Sequence, residues 1–104
     1  MLRRKLIISL CSVMALFASQ QVLADEALAK SKNCLACHSV ANKIVGPAFK
    51  DVAAKYKGDG AALATLADKV RKGGGGVWGG IPMPPNPTTS EAEAETLVKW
   101  ILSL

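Results

Sequence analysis

The chain has 104 residues, half of them hydrophobic, with 13 basic and 8 acidic side chains and a formal charge of +5. That length has room for one domain. Without residues 1–24 the charge falls to +2, too slight an excess to favour a nucleic-acid partner.

In chain order, Arg3, Arg4 and Lys5 precede an apolar run over residues 6–18, and Val22-Leu23-Ala24 supplies small residues suited to a signal peptidase. This order predicts a secretory signal peptide over 1–24 and export to the periplasm, leaving a working domain over 25–104. The apolar run is shorter than a bilayer requires, so no membrane span is expected after processing. Cys11 stands mid-run behind Leu10, where a lipid-attachment site would want a small residue, and is expected to leave with the leader. The remaining 80 residues make a thin core. Domains of that size commonly depend on a disulfide, a metal or another staple.

Four helices follow from apolar spacing near 3.6 residues. The first runs from Asp25 to about Asn33, placing Ala27, Leu28, Cys34 and Leu35 on one stripe. The second carries Phe49, Val52, Ala53 and Tyr56 and stops at Gly58 and Gly60. The third repeats the spacing at Leu63, Leu66, Ala67 and Val70, with Gly73 as its stop. Ser90 and Glu93 form a capping box for the last, whose buried face is Ala94, Leu97, Val98 and Ile101. No segment alternates long enough to read as a strand. Between the last two helices lie a run of four glycines, 73–76, and a strap, 81–87, with prolines at 82, 84, 85 and 87. Such prolines stiffen the backbone and exclude helix, and Met83 sits among them.

Chemistry is concentrated in Cys34-Leu35-Ala36-Cys37-His38. Two thiols three residues apart can form thioethers to one porphyrin, and the adjoining His38 can reach its iron, so the motif reads as covalent haem c attachment. His38 is the single histidine. A redox dithiol would want a βαβ frame, and a zinc site would want four ligands where 25–104 offers two Cys and one His. The second axial position falls to Met83, 45 residues past His38, with a lysine or an open position as alternatives. A thioether there raises the potential and closes the iron to substrate, which favours electron transfer over catalysis. A backbone carbonyl in the Gly46-Pro47 segment could accept from the far nitrogen of His38 and fix its tautomer. Trp78 could donate to a haem propionate or be ordinary core. Asn86 could steady the Met83 sulfur, tie down the strap, or be an ordinary turn residue.

The stretches Cys34–His38, Val45-Gly46-Pro47-Ala48, Lys50–Tyr56, Gly76-Val77-Trp78-Gly79 and Ile81–Asn86 closely resemble the short bacterial class I cytochromes c of the c-551/c-552 group. The resemblance implies an all-α fold of about four helices wrapped around one covalent haem, with His38 and Met83 on the iron. It further implies the Pro47 carbonyl on His38, Trp78 on a propionate, and Asn86 supporting Met83. The implied function is a soluble, periplasmic, non-enzymatic carrier, expected to be a monomer. Its expected donor is a membrane cytochrome bc-type complex; its expected acceptors are cytochrome cd-type nitrite reductase, in denitrification, or terminal oxidases. Docking is expected at an apolar ring of Leu35, Ile44, Ile81, Pro84 and Pro85, margined by Lys32, Lys43 and Lys50. Two positions depart from the pattern: Lys69 stands where some relatives carry a propionate-pairing arginine, and Gly80 where some carry proline.

Overall fold

The computed structural model describes residues 25–104; the expected leader, with Cys11, lies outside them. Helix α1 covers residues 25–31, and a single 3-10 turn follows at Cys34–Ala36. Helices α2 (Phe49–Lys55), α3 (Ala62–Lys72) and α4 (Glu91–Leu102) complete an all-α architecture. Among the described residues, β pairing is confined to two isolated bridges, His38 with Lys43 and Gly74 with Met83. No helix among them is long and apolar enough to cross a membrane.

Each helix ends where its sequence supplies a stop. Helix α1 closes before Asn33, whose φ of 61° is left-handed, a conformation Asn tolerates better than most residues. Ser31 helps by donating its hydroxyl to the Leu28 carbonyl at 2.8 Å. The cysteines are therefore carried on their own tight turn rather than on an extension of α1. Gly73 (φ 75°) terminates α3, and its N–H donates to the Lys69 carbonyl. Helix α4 begins on the capping box: Glu93 N–H donates to Ser90 Oγ at 3.1 Å, and Ser90 N–H to Glu93 Oε1 at 3.0 Å.

Helix α4 is the spine of the packing, meeting both α2 and α3. One face buries Leu97, Trp100 and Ile101 against Phe49 and Val52 of α2 and Ala29 of α1. The other sets Ala94 and Val98 on Ala67 of α3. The phase of α1 differs from the expectation in one residue: Leu28, Cys34 and Leu35 pack on the core, but Ala29 is fully buried and Ala27 exposed. Leu66 and Val70 of α3 are half-covered by protein, for they face a cleft between α3, α4 and the loops.

Candidate cofactor site

The cysteine turn is closed by one acceptor. The Cys34 carbonyl receives the N–H groups of Cys37 (3.2 Å) and His38 (3.0 Å), so two thiols and an imidazole project from a single local loop. Both thiols are free and half-buried. Burial pushes the Cys34 thiol pKa up, opposed more weakly by a backbone hydrogen bond. A nucleophilic redox cysteine needs the opposite shift, toward thiolate. Among the described residues, no three His, Cys, Asp or Glu side chains gather to hold a bare ion.

His38 is fixed from three sides. Its Nδ1–H donates to the Pro47 carbonyl at 2.8 Å. A carbonyl only accepts, so the proton stays on Nδ1 and the Nε2 lone pair is free for a metal. Phe49 stacks on the ring, with centroids 5.0 Å apart and planes 24° from parallel. Gly46 lies against the ring so closely that a Cβ there would overlap Cε1. The 44–46 loop is itself held by Gly46 N–H on the Cys37 carbonyl at 2.8 Å. Proline after Gly46 was legible as the source of the carbonyl, but the glycine's contact and the Phe49 stack were not.

Met83 is held by its own backbone. Its N–H donates to the Gly74 carbonyl at 2.8 Å, and Gly74 N–H returns to the Met83 carbonyl at 3.0 Å. The glycine run is thus a partner for the strap rather than a free hinge, and a Cβ at Gly73 would press on the strap backbone at Pro84 and Pro85.

Cys34, Cys37, His38 and Met83 all line one cleft, which encloses about 1030 Å³ of empty space including its open mouth. Its walls are Phe49 and Val52 of α2, Leu66 and Val70 of α3, and Leu97, Val98 and Ile101 of α4, with the 45–47, 74–78 and 81–84 loops around the rim. Apart from His38, its one ionisable wall residue besides the thiols is Lys69, and no described carboxylate pairs with it. Trp78 also lines the cleft at 39% exposure, with Lys55 Nζ 5.4 Å from its ring centroid.

These residues fit a c-type haem. The walls are apolar enough for a porphyrin, two thiols are placed for thioethers, one imidazole nitrogen is free, and a thioether is available. Lys69 and the Trp78 indole N–H suit carboxylates. Asn86 is brought to the strap, but its side-chain N–H donates to the Lys32 carbonyl at 3.2 Å. It therefore ties the strap down, one of the roles expected for it.

The proposed docking ring is exposed at Ile81 (72%) and Ile44 (53%), with Pro84 and Pro85 also open. Val45 and Val77 are exposed as well, but both line the cleft, as Ile81 does. Leu35 is only half-exposed. Lys43 and Lys50 are exposed, whereas Lys32 is engaged, 3.2 Å from Glu93 Oε2 and 3.1 Å from the Thr88 carbonyl.

A tight Cys-x-x-Cys-His turn opening into an apolar cleft, with a methionine strap on its rim, defines an all-α haem protein of the c type. The Cytochrome c family model matches residues 25–104, and the chain belongs to that family. It is 52% identical over 90 residues to cytochrome c-552 of Nitrosomonas europaea, covering 86% of this chain and 87% of that protein. It is 52% identical over 103 residues to cytochrome c-551 of Stutzerimonas stutzeri, covering 97% and 98%. The crystal structure of wild-type Nitrosomonas europaea cytochrome c552 superposes with a TM-score of 0.74 at 54% identity, over 76% of this chain and 98% of that one. The fold is that of a class I cytochrome c, and the family's haem c is held covalently through the Cys-x-x-Cys-His motif. Homologues of this kind are small electron carriers, not enzymes.

Proposed function

We propose that this chain is a periplasmic one-electron carrier in which Cys34 and Cys37 hold the haem and His38 and Met83 are its axial ligands. The observation that carries the reading is that all four residues line one apolar cleft, with the free nitrogen of His38 set by the Pro47 hydrogen bond. When bound, the haem supplies an iron that gains or loses one electron.

The chain's own residues determine what else can happen there. Pro47 keeps the proton on Nδ1 and so leaves the Nε2 lone pair for the iron. Phe49 and Gly46 deny the imidazole room to turn. The strap presents the Met83 thioether to the cleft, a ligand that would favour reduced iron and would close it to oxygen or peroxide. Lys69 and Trp78, which line the cleft, would neutralise and orient the propionates of a bound haem.

Residues 1–24 act as a cleaved signal peptide, supported by their charge and apolar order. The match to the Stutzerimonas stutzeri protein, which extends over almost the whole of both chains, agrees with a shared leader. Partners are a membrane cytochrome bc-type donor and a nitrite reductase or terminal oxidase. The carrier meets them as a monomer through the patch around Ile44 and Ile81, with Lys43 and Lys50 steering. Optical spectra of the purified protein in both oxidation states test the ligation. A weak near-red band in the ferric form and poor carbon monoxide binding in the ferrous form are expected. A colourless protein with two titratable thiols, or one that binds carbon monoxide readily, refutes the assignment.

A further inference from the structure

The Met83 strap is fixed at a second place, five residues downstream, by a group on the opposite end of the molecule's sequence. Lys32, just before the cysteine turn, donates from Nζ to the Thr88 carbonyl at 3.1 Å and pairs with Glu93 Oε2 at 3.2 Å. Its backbone carbonyl accepts from Asn86 Nδ2 at 3.2 Å, and Asn86 N–H donates to the Arg71 carbonyl at 3.0 Å. Thr89, buried at 1% exposure, closes the turn with its N–H on the Asn86 carbonyl. One residue thus joins α1's exit, the end of the strap and the α4 cap. The Lys32 side chain is 20% exposed and that of Glu93 35%, so the pair is shielded from water more than a free surface pair.

From this geometry we propose that Lys32 is a positioning residue for Met83: the Lys32–Thr88–Glu93 latch, with Asn86, keeps the strap from lifting the sulfur off the iron. The proposal rests on the axial role assigned to Met83. Without the Lys32 side chain, the strap keeps its bonds at Met83 and Asn86 but loses its charged tether at Thr88, so transient departure of the sulfur becomes more frequent. The resting ligand set is unchanged, since Met83 stays bound in the major form.

The test uses the holoprotein in its ferric state and imidazole as an incoming ligand, which enters only when Met83 has left. Its limiting uptake rate therefore reports the opening of the strap. Lys32→Met keeps the aliphatic stem and removes the charge; uptake is expected to rise about 5- to 10-fold, the loss of a charged hydrogen bond and a half-shielded ion pair. Glu93→Gln preserves the capping oxygen and the Lys32–Thr88 bond, and is expected to give a smaller rise. Lys32→Arg is expected to restore slow uptake, and Lys99→Met, on the exposed side of α4, to change nothing. The reduction potential stays at the wild-type value throughout. Unchanged uptake in both Lys32→Met and Glu93→Gln overturns the latch, even if their melting temperatures fall. A wild-type ferric protein without the near-red band overturns Met83 ligation itself, a result distinguishable from failure of the latch alone.

Discussion

Gly46→Ala puts one methyl group where the structure has no room. The added Cβ would overlap Cε1 of His38 and stand 2.8 Å from Nδ1 and 3.0 Å from Nε2. The ring cannot retreat, because Phe49 is stacked on it at 5.0 Å. Either the 44–46 loop shifts, straining the Gly46 N–H bond to the Cys37 carbonyl, or the ring tilts and weakens its 2.8 Å bond to Pro47. Overpacking of this kind costs about 1–3 kcal/mol, and a weakened hydrogen bond adds about 1 kcal/mol. At roughly 4–8 °C per kcal/mol for a domain of this size, even 2 kcal/mol lowers Tm by about 8–16 °C. Thermal unfolding of the ferric holoprotein followed by far-UV circular dichroism measures the drop, and protein-film voltammetry measures the potential in parallel. A variant that melts with the wild type and keeps its potential would show that the glycine–imidazole contact constrains nothing.

Four other perturbations separate structural from functional roles. Met83→Ala is expected to retain covalent haem, lower the potential and admit carbon monoxide; an unchanged potential rules Met83 out as a ligand. Cys34→Ala is expected to impair haem attachment and weaken folding, read by haem stain and circular dichroism; an equally stable apo-domain contradicts it. Ser90→Ala removes one half of the α4 capping box and should cost about 1 kcal/mol in chemical denaturation without moving the potential, since Ser90 does not line the cleft. The Glu93 carboxyl is held below its ordinary value of 4.5, chiefly by the Ser90 backbone N–H and then by Lys32. Its folded pKa is depressed, so its contribution to stability is complete above 4.5 and lost as pH falls through the folded value. The Tm gap between wild type and Glu93→Gln should therefore narrow in acid; a gap independent of pH would refute the linkage.

What could be read in the sequence was local. The cysteine motif, the proline strap around Met83, the Gly46-Pro47 pair and the Ser90–Glu93 box each carry their meaning within about seven residues; the structure shows the capping box and the Pro47 carbonyl on His38 directly. What escaped depended on distance or phase. Lys32 looked like one more surface lysine, because its partners Thr88 and Glu93 lie more than 50 residues away in the chain. Phe49 was read as helix core, which it is, but its face toward His38 follows from the loop that brings residues 38 and 49 together. The stripe through Ala27, Leu28, Cys34 and Leu35 assumes one continuous helix; the left-handed Asn33 interrupts it, and within α1 the fully buried position is Ala29 rather than Ala27.

The composition of the core links this architecture to its cofactor. Among the described residues, half of the twelve buried apolar ones are alanine, and the largest fully buried side chains are Leu97, Val98 and Thr89. Alanines at 29, 67 and 94 let helices approach closely, but each contributes little apolar area. Larger side chains, Val52, Leu66, Val70 and Ile101 among them, also turn an apolar surface toward the cleft. Helix α2 meets α4 through the bulk of Phe49, Val52, Leu97, Trp100 and Ile101, whereas α3 meets α4 around Ala67, Ala94 and Val98 and leaves Leu66 and Val70 half-covered beside the cleft. A chain built this way gains its missing apolar contacts only when a large planar group is seated between His38 and the strap. The same contacts would exclude water from around a bound haem, which would favour its less charged, reduced state. Stability and potential are therefore set by one group of side chains, and substitutions at the cleft wall are expected to move both together.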